Sequence, residues 1–190
     1  MKPKVGIAMT GSFCMFRNVL TVLKALGDYD LVPIMSEAAF TCDTRFGESR
    51  AFVEELEALC GRKVLSTLQQ VEPLGPKKVL DALAILPCTG NTLGKLANSI
   101  ADSPVTFACK AHLRNGRPVI LGVSTNDGLS GSGENIGKLL GRRHFYFIPF
   151  GQDDPAEKPY SLVAHMELLP KTIEMALIGK QLQPIVMDYV

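Results

Sequence analysis

Asp81-Ala-Leu-Ala-Ile-Leu-Pro-Cys-Thr-Gly-Asn-Thr-Leu-Gly-Lys-Leu-Ala-Asn-Ser-Ile-Ala-Asp102 passes from an apolar run through a polar turn into a helical pattern. Ala82 to Leu86 has the length and composition of a strand buried on both faces. Pro87 is expected to stop it. After the small and polar residues Cys88 to Thr92, apolar positions recur at Leu93, Leu96, Ala97 and Ile100, the spacing of a helix face laid on a sheet. Strand, polar turn and helix N-terminus form the unit with which an open α/β sheet presents a ligand site, because free N–H groups and the helix dipole favour an anion there.

Outward from this unit the same alternation repeats. Lys4 to Met9 reads as a strand, followed by the tight turn Thr10-Gly-Ser-Phe-Cys14. Phe16, Val19, Leu20, Leu23 and Leu26 mark an amphipathic helix that Gly27 can close. Leu31 to Met35 is a second strand ending at Ser36, and Thr41 to Glu48 is a polar loop. Phe52, Leu56 and Leu59 give a helix with a charged outer face, whereas Val64 to Gly75 has no clear period and reads as a connection.

Ser103-Pro104 looks like a cap with proline in the first turn of a helix that runs through Leu113. Pro118 to Val123 is a buried strand leading into the Gly/Ser-rich loop from Ser124, and Asn135 to Leu140 is a short helix. His144 to Phe150 is β-rich, and Gln152 to Pro159 is a surface loop. Ser161 to Lys180 reads as a helical pattern that Pro170 kinks or divides. The expected fold is α/β: one domain over residues 1–190, with a doubly wound, mostly parallel, Rossmann-like sheet and helices on both faces.

Composition limits the function classes. The 190 residues carry a formal charge of +1, with 46% hydrophobic and 21% charged residues, a balance that gives no reason to expect nucleic acid or an anionic membrane. Five scattered cysteines without a CxxC pair read as reduced thiols of a cytoplasmic protein, and no metal site is expected. Met-Lys-Pro-Lys-Val leads into a strand rather than a signal peptide.

Three turns would meet on one rim of the sheet: Gly11-Ser12 after the first strand, Ser36 after the second, and Thr89 to Thr92 after the central one. The first lacks both the GxGxxG spacing and a P-loop lysine; it suits one phosphate, or simply a capped helix start. Ser36 is open to the same two readings. Cys88 reads as a small buried thiol, and His112, His144 and His165 have no partner at catalytic or ligand spacing. Lys95 and Arg142-Arg143 could meet carboxylates or lie on solvated helix faces. Arg45, on a loop above the rim, is the better candidate to bind an anionic substrate.

The turn Pro87-Cys-Thr-Gly-Asn-Thr92 resembles the Pro-Ala-(Ser/Thr)-Ala-Asn-Thr turn of the flavoprotein family that includes flavin-dependent cysteine decarboxylases. Gly6-Ile-Ala-Met-Thr-Gly-Ser12 and Ser36-Glu-Ala-Ala-Phe40 resemble its other two turn elements. The resemblance implies bound FMN, with Gly11, Ser12, Phe13 and Ser36 at the phosphate end. It also implies Pro87, Thr89 and Thr92 near the flavin, and Asn91 facing and orienting substrate. The decarboxylases' Pro-x-Met-Asn-x-x-Met-Trp clamp is replaced here by Gly122-Val-Ser-Thr-Asn126-Asp-Gly-Leu, which keeps only the asparagine. Asn126 is therefore a second candidate for substrate.

Thr41-Cys-Asp-Thr-Arg-Phe-Gly47, Leu86 to Asn98 and Phe145-Tyr-Phe-Ile-Pro-Phe-Gly-Gln-Asp153 resemble the dipicolinate synthase B subunits, one branch of the same family. That likeness implies an oxidoreductase working with an A subunit in the mother-cell cytoplasm of a sporulating bacterium. It would aromatise dihydrodipicolinate, or its hydroxytetrahydro precursor, to dipicolinic acid. The hydride acceptor would be FMN here or a nicotinamide such as NADP on the partner. A trimer-based homo-oligomer is also implied. Two other classes stay open: an FMN-dependent decarboxylase of a small carboxylate, and a non-catalytic partner that lost the cofactor.

Overall fold

The computed structural model describes residues 2–188, so Met1, where the opening Met-Lys-Pro-Lys-Val begins, lies outside it. The elements follow in the order β1 (Lys4–Met9), α1 (Phe16–Leu23), β2 (Asp30–Met35), α2 (Glu37–Thr41), α3 (Ser49–Cys60), α4 (Leu68–Val71), β3 (Ala82–Cys88), α5 (Gly90–Ala97), α6 (Pro104–Leu113), β4 (Val119–Thr125), α7 (Gly133–Leu140), β5 (Phe145–Phe147), β6 (Phe150–Gly151), β7 (Leu162–Ala164) and α8 (Leu169–Leu177). The sheet order is β2-β1-β3-β4-β7-β6, with β5 also paired to β4. β2, β1, β3, β4 and β5 are parallel, whereas β7 runs antiparallel to both β4 and β6. The sheet is mostly parallel, with helices on both faces.

Every residue of β3 is buried, as the central strand of a doubly covered sheet requires. Pro87 does not end this strand. The pairing of β3 with β4 shifts between Ile85 and Cys88, so two residues of β3, Leu86 and Pro87, face one of β4, Gly122. A bulge tolerates a residue without an N–H. It also explains Gly122, where an added Cβ would stand 2.9 Å from Cβ of Leu86.

α5 stops at Ala97, short of the predicted Ile100, which is 47% exposed. Ser99 turns the backbone left-handed, and Arg142 donates to the carbonyls of Leu96 and Ala97 at 3.0 and 2.6 Å. Arg142 is thus a helix cap, and Lys95 is ion-paired with Asp102. The apolar face of α1 is buried as expected, but the helix closes at Lys24 rather than Gly27. Within the unassigned connection, Thr67 and Gln70 form a capping box for α4.

The segment from Ser161 differs most from its helical reading. Leu162 and Val163 pair with Thr125 and Ser124 of β4, a long-range pairing that local periodicity does not encode. Pro170 sits in the first turn of α8, where its missing N–H costs nothing, so it begins that helix rather than dividing one. Among the described residues no helix is long and apolar enough to cross a membrane.

His112 is buried in α6 and its Nε2–H donates to Pro118 O at 3.0 Å. Burial pushes its pKa down from 6.5 to about 4, and the bond to Pro118 only partly offsets this. The folded state therefore disfavours protonation, and this stability is present above pH 6.5 and lost as pH falls to 4. The linkage is worth about 3 kcal/mol. Urea unfolding at pH 7 and pH 4 should show a smaller acid loss in His112→Gln than in the parent; equal losses would exclude this histidine as the source.

Candidate functional site

The strand order reverses between β1 and β3: the chain leaves β1 toward β2 on one side and returns to β3 on the other. A crevice opens there at the carboxyl ends of the strands. The turns after β1, β3 and β4 border it and are tied together by side chains. The buried Thr10 hydroxyl donates to Pro87 O at 2.7 Å and accepts from Thr89 N at 3.2 Å. Ser12 Oγ donates to Ser124 O at 2.6 Å. Thr89 caps α5, accepting from Thr92 N at 3.2 Å and lying 2.9 Å from the Thr92 hydroxyl. Gly90 packs directly under the third turn. A Cβ there would come within 2.5 Å of Ser132 Oγ, 2.7 Å of Thr125 Oγ1 and 2.8 Å of Asp127 Oδ1.

The crevice is a cleft of about 870 Å³, within the usual size of small-molecule and cofactor sites. Gly11, Ser12 and Phe13 line it from β1, Thr89, Gly90 and Asn91 from β3, and Ser124 to Asp127 from β4. Arg45 and Phe46 reach it from the loop before α3, and Asp153, Lys158, Ser161 and Val163 from the far edge. The structure therefore brings together Gly11, Ser12, Phe13, Arg45, Thr89, Asn91 and Asn126. Ser36, Pro87 and Thr92 are not on the walls. Ser36 caps α2 by accepting from Ala39 N, Pro87 is buried in the bulge, and Thr92 is buried behind Thr89.

Two carboxamides, Asn91 and Asn126, are exposed in the cleft and make no side-chain hydrogen bond to other described residues. Asn91 is not the cap of α5; Thr89 is. The N–H groups of Gly90 and Asn91 open the helix and have no carbonyl four residues back to pair with. Hydroxyls, amides and backbone N–H groups can hold a phosphate and a polyol chain. Phe13, Met15 and Val163 offer apolar surface to a ring. This donor set fits a flavin nucleotide.

Charge on the far edge is paired. Lys158 Nζ lies 3.0 Å from Asp153 Oδ2. Burial alone would raise the Asp153 pKa, but hydrogen bonds from Lys158 and Ser161 and the ammonium charge hold it below the usual carboxylate value. Thr125 donates to Asp127 Oδ1 at 2.5 Å. Cys88 is buried and its thiol pKa is pushed up by burial, so it is a packing residue. Sequence reasoning missed Asp127, Asp153 and Lys158. The Thr125-Asn-Asp127 turn carried a signal, directly after a strand, but Asp153 and Lys158 reach the cleft only through the pairing of β7 with β4. Among the described residues no group of three or more His, Cys, Asp or Glu is arranged to hold a metal ion.

The model of the family described as Flavoprotein matches residues 1–127. The chain belongs to the flavoprotein family. The matched residues carry β1 to β4, the turns after β1 and β3, and the start of the turn after β4. The B subunit of dipicolinate synthase from Bacillus subtilis (strain 168) is 45% identical over 187 residues, spanning 97% of this chain and 94% of that one. The crystal structure of the dipicolinate synthase B subunit from Bacillus halodurans C is similar with a TM-score of 0.91. It is 43% identical, over 99% of this chain and 97% of that chain. The FMN-dependent cysteine decarboxylase SpaF has a TM-score of 0.65 at 20% identity over 93% and 96% of the two chains, a likeness of fold.

Gly90→Ala should place a methyl against three side-chain oxygens, two of them joined by the Thr125–Asp127 hydrogen bond, so that the turn must shift. It is expected to cost about 1–3 kcal/mol, the usual range for overpacking. Gly11→Ala is the control, since its Cβ would meet only the Phe13 ring at 3.6 Å. Urea unfolding of both variants checks this, and equal stability would mean that the third turn yields freely.

Proposed function

We propose that this chain acts as a dipicolinate synthase B subunit, working as one domain over residues 1–190. With an A subunit it converts dihydrodipicolinate, or its hydroxytetrahydro precursor, to dipicolinic acid in the mother-cell cytoplasm during sporulation. The near end-to-end likeness to the Bacillus subtilis protein carries this reading. The cleft at the strand reversal supports it with a rim of hydroxyls, amides and N–H groups.

Aromatising a dihydropyridine dicarboxylate removes one hydride and one proton from the ring. FMN held here would accept the hydride, a role that a nicotinamide such as NADP on the A subunit could fill instead. Gly11, Ser12 and Phe13 would hold the phosphate end and Thr89 would lie by the ring, with Ser36, Pro87 and Thr92 behind them. Asn91, Arg45 and Asn126 would hold the substrate. Asn91 orients it: its free carboxamide stands beside the open N–H groups of α5, where a carboxylate is stabilised and one ring face is presented. We also place a trimer-based homo-oligomer here, with the Asn126 loop against a neighbouring chain. Leu129 and Tyr160, 52% and 57% exposed and joined by a backbone hydrogen bond, give that loop an apolar surface.

Asn91→Asp keeps the shape and adds a charge beside a dianion. The variant should fold and bind flavin, but reconstituted with the A subunit it should form dipicolinate on the order of a hundredfold more slowly, a few kcal/mol in the transition state. Ultraviolet absorbance of the product reads this out, and activity within about threefold of the parent removes Asn91 from substrate orientation. A parent pair that makes no dipicolinate, or a parent chain with no flavin absorbance, would favour the decarboxylase and cofactor-free readings respectively.

A further inference from the structure

We infer that the cleft selects a dicarboxylate over a monocarboxylate by means of two cations delivered from opposite ends of the sheet, Arg45 and Lys158. This rests on the reading of the cleft as a dipicolinate-forming site, and it assigns Lys158 a role in that site.

Arg45 sits at the tip of a short hairpin. Thr44 and Gly47 exchange backbone hydrogen bonds at 3.1 and 3.0 Å, and the Thr44 hydroxyl accepts from Phe46 N at 3.2 Å. Behind the tip, Asp43 accepts from Ser49 N and Oγ at 2.8 and 2.9 Å, fastening the turn to the start of α3. Gly47 has φ +146 and packs against Phe52, where a Cβ would come within 2.9 Å of the ring. The guanidinium stands 4.9 Å from the centroid of the Phe46 ring. Stacking on a ring face restrains the group and leaves its N–H edge for a carboxylate. Arg17, Arg50, Arg62 and Arg117 each meet a carboxylate, but among the described residues Arg45 meets none.

Lys158 comes from the strap between β6 and β7. Its N–H donates to Asp154 O at 2.7 Å, its carbonyl accepts from Ser161 N at 3.0 Å, and Gln152 Nε2 donates to Pro159 O at 2.9 Å. The strap is therefore fixed by its own bonds. The ammonium has three donors and Asp153 takes one. The cleft's charged side chains, Arg45, Lys158, Asp127 and Asp153, sum to zero. A neutral cleft does not gather anions at long range, so recognition depends on short contacts at both cations. In the strand order, the turns that carry Asn91 and Asn126, after β3 and β4, fall between the segments that carry the two cations. Two cations flanking neutral amides are the complement of a ring nitrogen flanked by two carboxylates.

The test is calorimetric titration of the chain reconstituted with the A subunit, in metal-free buffer, using pyridine-2,6-dicarboxylate and pyridine-2-carboxylate. The parent should prefer the dicarboxylate, and Arg45→Ala and Lys158→Ala should each weaken its binding about ten- to a hundredfold, the scale of one charge-assisted contact. Monocarboxylate binding should change much less, and Arg143→Ala, outside the cleft walls, should change neither. Melting temperatures verify that the variants fold. A parent with no preference for the dicarboxylate, or single variants that keep it, overturns the inference. Dipicolinate formation by the parent pair separately tests the reading beneath it.

Discussion

One buried hydroxyl joins the two halves of the sheet where the site lies. Thr10, the residue after β1, donates to the carbonyl of Pro87 and accepts from the amide of Thr89. Backbone groups that diverge at a strand reversal lose their ladder partners, and an unpaired buried amide or carbonyl costs about 1–3 kcal/mol. Thr10 satisfies one of each. Ser12 repeats the device one turn further, toward Ser124. The three rim turns thus form a unit connected by side-chain hydroxyls in addition to the sheet ladder.

The bulge at Leu86 and Pro87 depends on the same unit. It carries β3 past the point where proline would otherwise have ended it, and so brings Cys88 and the capping Thr89 level with the end of β4. Gly122 makes the room that the bulge needs, and Gly90 makes the room that the β4 turn needs. Each glycine leaves space that neighbouring side chains fill, those of Leu86, Ile148 and Met166 at Gly122 and those of Ser132, Thr125 and Asp127 at Gly90.

Much of this was legible in the sequence because it is local. β1, α6 and the polar turn from Thr89 to Thr92 announce themselves by apolar period, by Ser103-Pro104 and by the passage from an apolar run into small polar residues, whereas the cap at Thr89 shows only in the structure. What was not legible depends on distant partners. The bulge needs β4 opposite Pro87, β7 needs the exposed edge of β4, and the end of α5 is set by Arg142, far along the chain. In the cleft, Gly11, Asn91 and Arg45 could be named because each follows a strand or lies on a polar loop above one. Asp153 and Lys158 could not, since their approach exists only once β6 and β7 have paired.

The strap from Gln152 to Ser161 keeps its hydrogen bonds almost entirely to itself and is joined to the body by a short strand on each side. A segment built this way is modular. Its own hydrogen bonds hold it, and none of the bonds that link the hydroxyl turns beneath it runs through it. The cleft thereby combines a floor of hydroxyl-linked turns with a wall that holds itself together, so that a change confined to the wall can alter what the cleft binds without rebuilding the floor.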